Sequence, residues 1–173
     1  MSRELRSDRL LLRPMTADDA GPLLAVFTDP LVMASFGGDL FDRAQMEQWV
    51  ARNLAHQDEY GYGLFTVVRR DDGEVIGDCG LEHMEIGGTP EVELGYDLRS
   101  DCWGQGLATE AAGMVRDHAF ERLGIERLIS LIRTGNAASC RVAEKIGMRH
   151  ERDLAPGGIA YRMYAVERRP EPR

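Results

Sequence analysis

Two glycines one residue apart, Gly104 and Gly106, stand between a stretch with strand alternation and a stretch with helical spacing. Upstream, Glu91, Glu93 and Gly95 alternate with Val92, Leu94, Tyr96 and Leu98, the period of a strand. Downstream, Leu107 to Ala112 is rich in helix formers and continues through Met114, Val115, His118 and Ala119 at helical spacing. A strand feeding a glycine turn that opens a helix leaves several backbone N–H groups unpaired and aimed the same way. The helix dipole stands behind them, so the chemistry implied is the binding of phosphate. Without Cβ atoms, Gly104 and Gly106 let ligand oxygens approach the main chain closely.

Three kinds of anion loop compete for this stretch. A Walker loop ends in Gly-Lys-Ser/Thr, which is missing, so a nucleoside triphosphate is disfavoured. A dinucleotide fingerprint needs Gly or Ala where Thr109 stands, and it opens a βαβ unit near the start of its domain. The third kind holds the pyrophosphate of an acyl-coenzyme A. Trp103-Gly104-Gln105-Gly106-Leu107-Ala108-Thr109-Glu110-Ala111 resembles the loop of the GNAT superfamily of N-acetyltransferases, Arg/Gln-x-x-Gly-x-Gly/Ala, and within it the branch that acetylates ribosomal-protein N-termini. The basic position of the general pattern is Asp101 here, a departure common in that branch, and the main-chain part of the motif is intact.

A second stretch carries the same resemblance. In Thr134 to Met148, Asn136 is a good N-cap for a helix and Ser139 lies three residues on, on the same face. The resembled family has Asn-x-x-Ser here, then a Lys-x-Gly-Phe-like ending; Lys145, Gly147 and Met148 follow it with Met148 in place of the aromatic. The resemblance implies that Asn136 holds the pantetheine arm and that Ser139 faces the sulfur. It also implies acetyl-CoA as cosubstrate, bound by Leu94, Tyr96 and Leu98 of the strand, by Trp103, Gly104, Gln105, Gly106, Leu107, Ala108 and Thr109, and by Asn136 and Ser139.

Acetyl transfer from a thioester to an amine requires a neutral amine, a proton acceptor, a donor for charge developing on the carbonyl oxygen, and help for the departing thiolate. Glu93, in the strand just before Gly95, is the expected base and Glu91 its rival; both could equally be solvated or structural carboxylates. A main-chain N–H near Leu94 to Tyr96 is the expected oxyanion donor, where strands of the resembled fold part. Ser139 is the expected partner of the thiolate; Tyr96, Tyr161 and Tyr164 are available, and spacing selects none of them. His56, His83, His118 and His150 are scattered, no metal-ligand spacing occurs, and Cys79, Cys102 and Cys140 read as buried thiols.

The remaining elements must position these groups. Ser7 to Pro14 reads as a short strand stopped by proline, Thr16-x-x-Asp19 and Asp42-x-x-Gln45 as the starts of two helices, Leu64 to Val68 and Val75 to Leu81 as a hairpin. Arg127 to Ile132 reads as a buried strand, Asn136 to Lys145 as a helix, and His150 to Leu154 with Tyr161 to Val166 as a last hairpin. Pattern alone implies an α+β fold; the resemblance implies the GNAT fold, a mixed sheet of about seven strands flanked by about four helices. Residues 1–167 are expected to form one domain, with 168–173 a frayed tail. In that fold the first helical pair lines the acceptor side, with loops Ala34 to Leu40 and Pro156 to Ala160. Phe36, Phe41 and Trp49 read most simply as packing residues.

A net charge of −8 argues against a nucleic-acid surface and mildly favours cationic substrates. No apolar run reaches membrane-spanning length and Met1-Ser2-Arg3-Glu4 opens no signal peptide, so a cytoplasmic protein is expected. The leading expectation is an acetyl-CoA-dependent N-acetyltransferase acting on a primary amine, either a protein N-terminus or a small molecule, by direct attack. Its rivals are a non-catalytic acyl-CoA-binding module on the same fold, against which both Glu93 and Ser139 speak, and a dinucleotide-dependent oxidoreductase, against which Thr109 speaks. Homodimers are common in the resembled family.

Overall fold

Local signals decide the first elements in a computed structural model that describes residues 4–169. Thr16 and Asp19 form a capping box that starts a short 3₁₀ turn, and helix α1 (Ala20–Phe27) runs on from it. Asp42 and Gln45 form a second box, each side chain bonded at 2.8 Å to the other's N–H, and open α3 (Arg43–Tyr60). Between them lies α2 (Pro30–Met33), one helical turn beyond the expected set. Proline cannot continue α1, but it suits the first turn of a new helix, and Asp29 caps that turn by accepting from Leu31 N–H at 2.9 Å.

The strands are β1 (Leu5–Arg6), β2 (Leu10–Pro14), β3 (Leu64–Arg69), β4 (Val75–Ile86), β5 (Thr89–Leu98), β6 (Arg127–Arg133), β7 (Arg149–Leu154) and β8 (Tyr161–Glu167). They form one sheet in the order β1-β2-β3-β4-β5-β6-β8-β7, antiparallel except where β5 meets β6. The eighth strand, β1, is two residues long, too short for a period to show. Helices α4 (Leu107–Glu121) and α5 (Ala137–Lys145) complete the set. Ala111, Ala112, Val115 and Ala119 of α4 pack with Phe65, Leu81 and Leu94 in one core. A second core joins α1 and α3 to the sheet through Leu23, Phe27, Met46, Val50 and Leu64. Gly80 allows β3 and β4 to meet: a Cβ there would fall 2.3 Å from the Gly63 carbonyl oxygen.

The sheet opens at its centre. Strands β5 and β6 are in register only at Glu93 and Ile129. Beyond that point side chains replace the ladder: Ser130 Oγ donates to the Leu94 carbonyl at 2.6 Å, and Leu131 N–H donates to Glu93 Oε1 at 3.0 Å. The main-chain groups of Leu94 face this fork, so strand alternation turns those of Tyr96 toward it as well. Ser130→Ala leaves a buried Leu94 carbonyl without its donor. We expect a loss of about 1–3 kcal/mol, measured by chemical denaturation; an unchanged midpoint would mean that another group bridges the fork.

No described helix is long and apolar enough to cross a membrane. Of the expected tail, residues 170–173 lie outside the described residues, while Arg168 N–H donates to the Glu126 carbonyl at 2.7 Å.

Candidate active site

The mouth of α4 is built from left-handed glycines. Gly104 has φ +72° and Gly106 φ +78°, and Gly106 occupies the N-cap position, where it offers no capping side chain. The first helical bond runs from Glu110 N–H to the Gly106 carbonyl at 3.0 Å. The N–H groups of residues 104–109 find no acceptor among the described residues. Arg9, just before β2, braces the turn from outside, donating to the Gln105 carbonyl at 2.9 Å and pairing with Glu110. At Gly104 a Cβ would meet nothing within 4 Å, so the space in front of these donors is open.

That space is one end of a cavity of about 250 Å³ between the α4 mouth and α5. Trp103, Gly104, Gly106, Leu107, Ala108 and Thr109 form one wall, with Tyr96, Asp97 and Leu98 of β5 beside them. Asn136, Ser139, Arg141, Val142 and Lys145 form the other. Arg141 and Lys145 lie one turn apart and bring to this cavity two cations, whereas the basic position of the loop pattern is an acid, Asp101. Asp101 itself is bound to Arg99 at 2.6 Å. An open row of main-chain donors flanked by two cations fits a pyrophosphate.

A second cavity, of about 300 Å³, continues the first and shares Ser35, Tyr96, Asp97, Asn136 and Ser139 with it. It is bounded by Phe36 and Trp49 from the helical side, by Ile159 and Tyr161 from the last hairpin, and by the fork. Glu82 and Glu93 face each other across β4 and β5, as do Asp78 and Asp97, with the Gly80–Gly95 pair between them. Glu82, Glu93 and Asp97 line the cavity. Burial pushes the Glu93 carboxyl up to about 7, against the pull of the Leu131 N–H and with a further push from Glu82 and Asp97. Burial and then Glu82 raise Asp97 to about 7 as well. Asp78, 1% exposed, is held well above the usual carboxylate range by burial, then by Asp97 and Glu82.

Of the expected site residues, Glu93 reaches this cavity and Glu91 does not: Glu91 pairs with Arg127 at 3.2 Å, a structural contact. Ser139 lies where the two cavities join, and no partner of its hydroxyl is found among the described residues. Asn136 is engaged at both ends, accepting from Ser139 N–H at 3.1 Å and donating to Ser35 Oγ at 2.9 Å. Tyr96 donates its hydroxyl to the Ser139 carbonyl at 2.8 Å, and burial raises its phenol. Tyr161 lines the second cavity, whereas Tyr164 bonds to Glu144. Leu94 lines the second cavity rather than the first. Gln105 lines neither; its amide turns back to the Asp101 carbonyl at 3.1 Å. Trp103 is tied to the Leu98 carbonyl at 2.8 Å and forms the rim. Cys79, Cys102 and Cys140 are free and buried. Sequence reasoning missed Asp97, Glu82, Arg133, Arg141 and Lys145; the even spacing of Glu93 and Asp97 along one strand face was the available signal.

The description "Acetyltransferase (GNAT) domain" belongs to a family model that matches residues 9–149. The protein YkkB of Bacillus subtilis is 36% identical over 152 residues, 87% of this chain and 88% of that protein. An acetyltransferase structure from Agrobacterium tumefaciens is 32% identical, with a TM-score of 0.82 over 96% of this chain and 95% of that one. RimL, a ribosomal L7/L12 alpha-N-protein acetyltransferase in complex with coenzyme A, superposes with a TM-score of 0.81 over 95% of this chain and 98% of its own. At 19% identity that last likeness is one of fold.

Proposed function

The chain belongs to the GNAT acetyltransferase family, and from that premise we propose that it transfers an acetyl group from acetyl-coenzyme A to a primary amine, of a protein N-terminus or a small molecule, by direct attack. The observation carrying this reading is the single passage from the unpaired N–H groups at the α4 mouth to the carboxylates beside the fork. Acetyl-coenzyme A, when bound, supplies the activated acetyl group.

The chain's own residues divide the remaining work. Residues 104–109 hold the pyrophosphate with main-chain N–H groups, and Arg141 and Lys145 add charge at the same end. The fork between β5 and β6 receives the pantetheine arm, and Tyr96 N–H is the donor for charge developing on the carbonyl oxygen. Glu93 takes the amine proton: its Oε1 holds Leu131 while Oε2 is left for the acceptor, and a value near 7 suits a base at neutral pH. Ser139 offers its hydroxyl to the departing sulfur at the junction of the cavities.

A panel of primary amines and N-terminal peptides, assayed by thiol release from acetyl-coenzyme A, tests the reading. We expect amine-dependent release and an acetylated product by mass spectrometry. Tight coenzyme A binding with no amine ever acetylated would instead make the protein a binding module.

A further inference from the structure

Most buried polar atoms of the described residues are paired, and two of the exceptions belong to residues that line the second cavity. Among the described residues three buried side-chain atoms lack any partner: Trp49 Nε1, Arg133 Nε and Asp78 Oδ2. Trp49 and Arg133 line the cavity. Asp78 lies across the ladder from Asp97, so it points to the same face of the sheet. A buried donor or acceptor without a partner costs about 1–3 kcal/mol, and the two contributed by residues that line the cavity, Trp49 Nε1 and Arg133 Nε, are both donors, which calls for an acceptor group from a visitor.

The charges there are of both signs. Glu82 has a cation within reach, Arg52 at 3.6 Å, and that guanidinium also lies 4.4 Å over the Trp49 ring. Glu93 and Asp97 have none among the described residues, and a substrate ammonium supplies what they lack. Arg133 is the converse case. It ends β6, its guanidinium passes under Gly37, where a Cβ would stand 3.6 Å from Nη2, and no described carboxylate is within ion-pair distance. A neutral carbonyl can satisfy one N–H but leaves the charge unmatched; a carboxylate answers both and fits the planar donor fork. Trp49 Nε1 offers a further donor to the same kind of group. The cavity, about 300 Å³, is at the small end of ligand sites.

We propose that the acceptor is a zwitterion of amino-acid size, its amine seated among Glu82, Glu93 and Asp97 and its carboxylate held by Arg133 and Trp49. This rests on the acetyl-transfer reading and narrows it, selecting against polyamines and amino sugars, which carry no carboxylate. Arg133 then discriminates by charge, and Glu93 receives an amine already oriented by the other end of the molecule.

Amino acids, their carboxamides and their decarboxylated amines are compared as acceptors for the parent protein, Arg133→Gln and Arg133→Lys, with coenzyme A titration of each variant reporting that it is folded. For at least one amino acid we expect kcat/KM to exceed that of its carboxamide by about 10- to 100-fold, the scale of a charge-assisted contact. Arg133→Gln should abolish that ratio, and Arg133→Lys should restore part of it. Equal turnover of acid and carboxamide overturns the inference while leaving acetyl transfer standing, as does a ratio that survives in Arg133→Gln. If no amine is turned over, the same compounds are titrated into the coenzyme A-loaded protein, and the absence of carboxylate-dependent binding overturns the inference. A failure to bind coenzyme A sinks the underlying reading, and this one with it.

Discussion

Gly104→Asp should weaken coenzyme A binding by at least about 100-fold, because it strains the loop and places a carboxylate in front of unpaired N–H groups. The two effects are separable. The site of a Cβ at Gly104 is empty space, so Gly104→Ala meets no steric obstacle and reports only the left-handed backbone, at φ +72°. That strain is worth about 1–2 kcal/mol, at most about 5- to 30-fold in affinity. Gly104→Asn matches Asp in size and tolerates this backbone better than Ala, so it should bind nearly as well as the parent. The gap between Asn and Asp is then electrostatic and should narrow as salt is added. Calorimetry of the three variants decides the matter: an Asp variant within threefold of the parent would remove this loop from the site.

Glu93→Gln should lower kcat by about 100-fold or more, the contribution of a general base, with coenzyme A affinity nearly unchanged. The pH dependence carries the sign. With its carboxyl near 7, Glu93 is mostly protonated in acid, so kcat at saturating amine should climb through about pH 7 and then level off. The Gln variant should lack that limb. Stability should move the other way. The folded protein holds this proton more tightly than the unfolded chain, whose value is near 4.5, so the stabilisation from Glu93 is complete below pH 4.5 and lost as pH rises through 7. Gln never ionises and can still accept from Leu131 N–H. The variant should therefore be the more stable protein above pH 7, by on the order of 3 kcal/mol, with the advantage gone at pH 4.5. A variant that is slow yet no more stable at high pH would mean that Glu93 is already ionised at neutrality.

Much of this arrangement was legible in the residues alone. The capping boxes at Thr16 and Asp42, the turn at Gly104 and Gly106, and Asn136 as an N-cap are all interactions within a few positions, and the sequence reading placed each on the right element. Two short elements escaped it: β1 spans too few residues for a period, and α2 uses a proline to begin rather than to end a helix. The second cavity was harder to foresee, because Trp49, Glu82, Asp97 and Arg133 come from four separate elements. Trp49 shows why spacing could not sort them. Its ring packs on Phe27 and Phe41, as an apolar stripe demands, while its N–H faces no partner. A helical period reports the ring and is silent about the nitrogen. Likewise Gln105 sits between two glycines that line the first cavity and turns away from the groove, a matter of direction that order along the chain does not encode.

Gly80 and Gly95 share one rung of the ladder but answer to different neighbours. The first is locked by the Gly63 carbonyl, and any side chain there would push two strands apart; around the second lies only open space. Depth of the well and spacing of the sheet are thus governed by different residues. A lineage of such proteins could retune the reach of its substrate at position 95 while the scaffold beneath stayed untouched, which is how one architecture diversifies without first having to become less stable.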